Sequence, residues 1–361
     1  MKSSSVKKLV RGDWHGTLLP GTALIQDAIR VLNDVSLRIV LVVDAGGRLE
    51  GTVSDGDIRR GLLRGHGLKS PLSKVLHRKP LVAHVEHKPE AIVQLMLANE
   101  VQQIPVVDRR RRVVGLHVWD RLSQKASRPN MMVIMAGGKG RRLRPFTASL
   151  PKPLVAVGGK PILEHILTKA KQEGFQQFSI AVRHLGGMIE NYFGNGKRWG
   201  VEISYLKESL PLGTAGAIRL LAPQPREPFL VTNGDVLADF QYGELLDFHV
   251  RHGADATMAV RAHEWQNPYG VVEIQGLEIS GFREKPSVRT LINAGVYVLN
   301  PVACRMVPRQ SQCDMPELFA KMKSMGRRTL AYPLHEPWLD VGKPEDLASA
   351  KYFTRPRRKK K

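Results

Sequence analysis

Cysteine is nearly absent. Only Cys304 and Cys313 occur among 361 residues, too few for a disulfide framework and without the paired spacing of a metal site, so both read as structurally incidental. No apolar run approaches the ~20 residues that cross a bilayer. The start, Met1-Lys2-Ser3-Ser4-Ser5-Val6-Lys7-Lys8, lacks the apolar core of a signal peptide. A cytoplasmic protein with no transmembrane segment is expected. Acidic residues are the scarcer charge, 33 against 55 Lys and Arg, for a net charge of +22. A basic surface attracts polyanions, but much of the excess lies in Arg109–Arg112 and in a basic tail over 354–361. Neither run has interleaved aromatics or a helix-turn-helix pattern beside it, so solvated charge is expected and no specific nucleic acid. Attraction of the tail to RNA or a membrane surface stays open. What is present, 42% hydrophobic and 24% charged residues, suits a globular protein long enough for two or three cores.

The first third repeats itself. Ile39-Val40-Leu41-Val42-Val43-Asp44 leads through a turn to Gly51, and Ile104-Pro105-Val106-Val107-Asp108 leads through a turn to Gly115. The Asp-to-Gly spacing is seven in both, and the copies lie 64 residues apart, which marks an internal repeat. Each apolar run reads as a buried strand preceded by an amphipathic helix, Ile25 to Leu32 and Ala91 to Ala98. The pattern resembles a tandem CBS-domain pair, an α+β module over 8–127 with repeats at about 8–68 and 69–127. Gly51-Thr52-Val53-Ser54-Asp55-Gly56-Asp57 is similar to that family's ribose and phosphate pattern. The resemblance implies an AMP, ADP or ATP ligand held by Ser54 and Asp57, or else an assembly platform without a ligand. In the second copy Val118 and Arg121 stand at the equivalent positions, so a second site of that kind is not expected.

Residues 123–130, polar and containing Pro129, read as an exposed linker. Beyond it Met131-Met132-Val133-Ile134-Met135-Ala136 runs into glycines, as a buried parallel strand running into a loop does. Apolar runs at Ser179–Val182, Phe229–Thr232 and Thr257–Val260 alternate with helical patterns at Ile162–Glu173 and Ala215–Leu221. That rhythm predicts an α/β domain over 131–353, Rossmann-like with a mixed, mainly parallel sheet, and ligands at the carboxyl ends of its strands.

The loop Ala136-Gly137-Gly138-Lys139-Gly140-Arg141-Arg142-Leu143 can present backbone N–H groups to phosphates, because glycines allow close approach. It has neither the Gly-Lys-Ser/Thr of a Walker loop nor the third glycine of a dinucleotide fingerprint. Pro151-Lys152-Pro153-Leu154 follows, with Lys152 on a stretch stiffened by two prolines. The run from Ala136 to Leu163 resembles the signature of the sugar-1-phosphate nucleotidyltransferases, the family of mannose-1-phosphate guanylyltransferase. Arg141 stands where that family usually has Thr. Further segments resemble it in order: Leu212-Gly213-Thr214-Ala215-Gly216, Asn233-Gly234-Asp235, Tyr269-Gly270-Val271-Val272, Glu284-Lys285-Pro286, Asn293-Ala294-Gly295 and Trp338-Leu339-Asp340.

The resemblance implies transfer of a nucleotidyl group from an NTP, GTP favoured, to a sugar 1-phosphate for glycan or polysaccharide synthesis, with pyrophosphate as the other product. It implies nucleotide contacts at Ala136, Gly137, Gly138, Gly140, Arg141, Gly213 and Thr214, and sugar contacts at Gly270, Glu284 and Asn293. Arg142, Lys152 and Lys285 would be the catalytic cations, and Asp235 and Asp340 would hold Mg2+. Two polyanions must meet at the α-phosphorus, so cations have to offset their repulsion. Positioning and charge stabilisation then carry the rate, and no general base is needed for an attacking phosphate. His184 and His249 read as ordinary, and Trp338 as core. A homo-oligomer is expected, and a catalytically weak nucleotide-sensing regulator is the alternative.

Overall fold

The computed structural model describes residues 14–35, 37–87, 89–99, 101–118, 127–309 and 311–354. The chain divides into two compact units, 1–124 and 125–361. In the first, β1 (Leu18–Pro20), α1 (Ile25–Asp34), β2 (Ile39–Val43), β3 (Leu49–Ser54) and α2 (Asp55–Leu63) form one copy of the repeat. The second copy is β4 (Ala83–His84), α3 (Pro89–Ala98), β5 (Gln103–Val107) and β6 (Val113–Val118). Each sheet has three strands, the first pair parallel and the second antiparallel. Register slips at the same place in both, between Val42 and Val43 and between Val106 and Val107. The repeated aspartates explain the shared turn: Asp44 Oδ1 accepts the N–H groups of Gly46 and Arg48, both at 2.8 Å. Asp108 Oδ1 accepts those of Arg110 and Arg112 at 2.9 and 2.8 Å, closing Asx turns. Gly51 is required by crowding, since a Cβ there would lie 2.5 Å from the His77 carbonyl.

The second unit centres on seven strands in the order β11-β10-β7-β12-β17-β14-β18. Its early elements are β7 (Met132–Met135), the small pair β8 (Ala156–Val157) and β9 (Lys160–Pro161), α4 (Ile162–Gln172), β10 (Gln177–Val182), α5 (Gly186–Phe193) and β11 (Glu202–Lys207). Next come α6 (Gly213–Gly216), β12 (Phe229–Asn233), β13 (Val236–Ala238), α7 (Tyr242–Arg251) and β14 (Ala256–Gln266). The last third holds β15 (Val271–Gln275), β16 (Glu278–Arg283), β17 (Ser287–Leu299), α8 (Val302–Met306), α9 (Met315–Ser324), β18 (Thr329–Leu334), β19 (Trp338–Asp340) and α10 (Pro344–Ala350). Only β17 runs against its neighbours β12 and β14, and the other four pairings are parallel. The fold is thus mixed α/β with a mainly parallel sheet.

Buried side chains on the two faces of this sheet make two cores, one around Ile134, Ile180, Leu230 and Val298, the other around Val133, Ala181, Val231 and Tyr297. Strands buried on both faces read as continuous apolar runs rather than alternating ones, which is how β7, β10 and β12 look in sequence.

Two expectations need correction. The helix expected over Ala215–Leu221 is the four-residue α6 followed by a 3-10 turn, Ala217–Leu220. Gly216 weakens a helix there, and Pro223 closes the segment. The end of the expected linker is built into the second unit: Arg128 pairs with Asp247 at 2.8 Å, and the Asn130 amide donates to the Pro228 carbonyl at 2.8 Å. Residues 123–126, Arg121 and the tail 355–361 lie outside the described residues. Among the described residues no helix is long and apolar enough to cross a membrane.

Candidate active site

Because β11, β10, β7 and β12 are parallel neighbours, their carboxyl ends open on one edge, where ligands of such sheets bind. The segments that leave these ends are Glu208, Arg183, the glycine loop and Asn233-Gly234-Asp235. A cavity of about 270 Å3 lies there, lined by Ala136, Gly137, Gly138, Lys152, Arg183, Glu208, Gly213, Thr214, Asn233 and Asp235 among others. A larger cavity of about 460 Å3, between α4 and β13, holds none of the residues singled out from the sequence. The strand-end cavity is the one to follow, because it gathers residues from four separate strands.

Loop geometry follows from its glycines and one threonine. Gly140 has φ +59°, a conformation that L side chains adopt only at a cost. A Cβ there would lie 3.0 Å from Lys152 Cβ. The buried Thr147 holds the loop by donating to the Gly140 carbonyl at 2.8 Å. Lys152 is only 9% exposed. Its ammonium contacts the Asp235 carboxylate directly and lies 3.8 Å from Asp340 Oδ1.

Asp235 and Asp340 are 105 positions apart, and β13 and β19 bring them together. These strands pair antiparallel with Val236 opposite Asp340, and the Val341 N–H donates to the Asp235 carbonyl at 3.0 Å. Burial, and then the Asp235 charge, hold the Asp340 carboxyl above the usual range, against the Lys152 and Arg142 cations. Asp340 Oδ1 and Asn233 Oδ1 are buried with no hydrogen-bond partner. Paired carboxylates with an orphaned oxygen are a donor set that fits a hard divalent cation such as Mg2+.

Other expected residues divide between contact with this cluster and distance from it. Arg142 comes within 3.5 Å of the place a Cβ on Gly342 would take, beside Asp340. Gly213, at φ +79°, would put a Cβ 2.6 Å from the Cys313 carbonyl. Thr214 donates through its N–H and hydroxyl to Asp314 Oδ1 at 2.8 and 3.1 Å, so its side chain is engaged in anchoring the turn to the start of α9. Asn293 accepts the Gly295 N–H at 2.9 Å and donates to the Tyr297 hydroxyl at 2.8 Å. Gly295 in turn backs onto Asn233, where a Cβ would meet Asn233 Nδ2 at 2.8 Å. Trp338 is half-buried and donates to the Ala294 carbonyl at 2.8 Å, a packing role.

Gly270 and Glu284 lie together, since a Cβ on Gly270 would sit 3.0 Å from Glu284 Oε2. They and the exposed Lys285, whose φ is +41°, flank the β15–β16 ribbon and do not line the strand-end cavity. Arg141 is exposed as well and outside that lining. Two lining residues were missed in the sequence, Arg183 and Glu208. Each immediately follows a strand, and that position alone could have marked them.

In the first unit Ser54 caps α2. Its hydroxyl donates to Asp57 Oδ2 at 2.6 Å and accepts the Asp57 N–H at 3.3 Å, a capping box. Asp57 also pairs with Arg60 at 2.5 Å. Val118 ends β6.

Residues 131–356 match the family model described as nucleotidyl transferase. The chain belongs to the nucleotidyl transferase family. Two CBS domains precede the transferase region, matched over residues 17–64 and 72–116. The mannose-1-phosphate guanylyltransferase catalytic subunit beta of Danio rerio is 37% identical over 223 residues, covering 60% of this chain and 62% of that protein. The mannose-1-phosphate guanyltransferase of Yarrowia lipolytica is 37% identical over 226 residues with the same coverages. This chain thus spans less than two thirds of the length of the curated relatives it matches. A crystal structure from Bacillus anthracis, provisionally assigned as a glucose-1-phosphate thymidylyltransferase, superposes with a TM-score of 0.52 at 22% identity, covering 62% of this chain and 95% of that one. That likeness concerns the fold.

Proposed function

We propose that this transferase moves a nucleotidyl group from an NTP, GTP first, to a sugar 1-phosphate, mannose 1-phosphate being the first candidate from its relatives' names. The observation that carries the reading is the convergence of Lys152, Asp235 and Asp340 at the mouth of the glycine loop. The triphosphate would lie along Gly137 and Gly138 with Arg142 and Lys152 offsetting its charge. Asp235 and Asp340 would hold Mg2+, which supplies charge neutralisation at the α-phosphate oxygens. The sugar, between Gly270, Glu284 and Asn293, would present its phosphate to Lys285 for in-line attack, and pyrophosphate leaves. The product would serve glycan synthesis. Pyrophosphate release from GTP, dTTP, UTP, CTP and ATP against a panel of sugar 1-phosphates tests this. No release with any pair would favour the nucleotide-sensing alternative.

An adenosine ligand on the CBS pair is part of the proposal. It would have to compete with the Ser54–Asp57–Arg60 contacts. Calorimetry with AMP, ADP and ATP that shows no heat would leave the assembly-platform reading. For self-assembly the candidate surface is one face of the β15–β16 ribbon, where Val272, Ile274, Ile279 and Phe282 are 49, 68, 60 and 74% exposed. A two-stranded ribbon alone is marginal in water. Residues 264–289 carry four acids and three bases, so this arm approaches a second copy of a +22 chain without net repulsion. Sedimentation of F282E as a smaller species than the parent would support that contact. Unchanged mass would remove it.

A further inference from the structure

Two carboxylates share one ammonium in the transferase unit. Lys152 touches Asp235 Oδ2 and lies 3.8 Å from Asp340 Oδ1, and among the described residues neither aspartate has another ion-pair partner. The backbone that carries this lysine is held on both sides. Lys152, Pro153 and Leu154 form a buried 3-10 turn. Gly140 packs against it, since a Cβ there would lie 3.0 Å from Lys152 Cβ, and so does Gly234, where a Cβ would lie 3.5 Å from Pro153 Cγ. Only the four-carbon stem of Lys152 is left to swing. The cavity it lines together with Gly137 and Gly138 gives the stem space on the side where the triphosphate is proposed to lie.

A hard divalent cation is held by carboxylate oxygens, and here the ammonium already engages them. Two cations in contact with one carboxylate repel each other, so Lys152 has to leave before a divalent ion can settle. Leaving is costly at a position that is 9% exposed, because a buried charge needs a partner. The phosphates of a nucleotide supply that partner. We infer that Lys152 is the stand-in cation of the metal site: it holds the Asp235–Asp340 pair until a nucleotide triphosphate draws its ammonium into the cavity, so that divalent ion and nucleotide bind as one event. Lysine suits this exchange, since a compact charge on a flexible stem with three rotatable donors can serve two anions in turn, which the planar fork of arginine does less well. The device keeps the carboxylate pair neutralised when no substrate is present. By linkage it also makes nucleotide and metal each tighten the other through the lysine. The inference rests on the metal reading of Asp235 and Asp340 and deepens it by ordering metal and nucleotide.

The test is Mn2+ binding to the full chain without nucleotide, followed by the paramagnetic resonance of the free ion, for the parent, K152M and R142M. K152M is expected to bind Mn2+ about 10-fold or more tighter than the parent, the effect of removing a like charge in contact with the ligands. That gain should persist in about 1 M KCl, where the Debye length is only about 3 Å, because the competition is by contact. R142M removes a cation that stands beside Asp340 without pairing to it, and its gain should be much smaller. A second measurement uses the unaltered chain, whose fold is not in question: acetylation of Lys152 by acetic anhydride, read by mass spectrometry against the exposed Lys323. Saturating Mg2+ should raise the labelling of Lys152 relative to Lys323. Mn2+ binding in K152M no tighter than in the parent, equal gains in K152M and R142M that salt abolishes, or labelling indifferent to Mg2+ each overturn the exchange. If the two chains bind Mn2+ equally and D340N loses the site, the exchange fails while the metal reading stands. No Mn2+ site in any of the chains overturns both.

Discussion

Replacing Lys152 by Met probes the charge arrangement on which the site depends. The ammonium of this 9%-exposed residue touches Asp235 and lies 3.8 Å from Asp340 Oδ1. Two unit charges ~4 Å apart attract by about 4 kcal/mol at an effective dielectric of about 20. The Asp340 Oδ1 that faces Lys152 is buried but lies farther off, on a side chain that is 42% exposed overall, so Asp235, in direct contact and 26% exposed, contributes more. Removing the cation also leaves two carboxylates facing each other. We expect K152M to lose about 2–4 kcal/mol of unfolding free energy near pH 7.5 without divalent ion, somewhat under the cost of breaking a fully buried pair from one side. The sign of the pH dependence follows from Asp340. Its folded-state carboxyl titrates above the usual value, so the folded protein takes up that proton more readily than the unfolded one, and ionisation as pH rises costs stability. Without Lys152 that cost grows. The deficit of K152M should therefore shrink on moving to about pH 5, and Mg2+ at pH 7.5 should shrink it too by replacing the missing cation. Urea midpoints followed by tryptophan fluorescence, at both pH values with Mg2+ or with chelator, measure all four conditions. A deficit that is the same at both pH values and indifferent to Mg2+ would mean lost packing alone, and the charge argument would be wrong.

Gly140→Ala should lower stability by about 1–2 kcal/mol from its left-handed backbone, and it should also raise the KM for NTP because Lys152 is displaced; an unchanged KM would separate the loop from the lysine. Asp340→Asn should raise the Mg2+ concentration needed for pyrophosphate release and lower kcat by about 10²-fold or more, whereas retained activity at low Mg2+ would remove Asp340 from the metal site. His249 is buried between Thr257 and Asn300 at 2.9 and 3.1 Å, and burial pulls its pKa down. Its folded value therefore lies below the unfolded one near 6.5, and the unfolded chain binds the proton first. Stability should fall as pH drops below about 6.5, and H249Q should flatten that part of the melting-temperature profile. Asp57→Ala should cost about 1 kcal/mol through the lost capping box and should abolish any AMP, ADP or ATP heat.

How much of this was legible in the chain depends on whether a feature is local or is made by the sheet. The repeat was legible because Asp44 and Asp108 close the same turn through their own side chains, a contact two to four residues long that sequence spacing records directly. The parallel sheet was legible because β7, β10 and β12 are buried on both faces and so lack polar alternation. The pairing of Asp235 with Asp340 could be anticipated only from resemblance, since it depends on β13 and β19, three residues each, whose antiparallel register no local pattern specifies. Short α6 was misread because its helical periodicity is real while Gly216 and Pro223 limit its length. Glu208 and Arg183 were missed for a related reason: neither sits in a motif, and their meaning comes from the parallel order β11-β10-β7-β12, which places the first residue after each strand on the same edge. In such a sheet the residue following every strand in the parallel block is a site candidate, whatever its sequence surroundings. For this chain that rule picks out the glycine loop after β7, Asn233 to Asp235 at the end of β12, Arg183 after β10 and Glu208 after β11, all of which line one cavity.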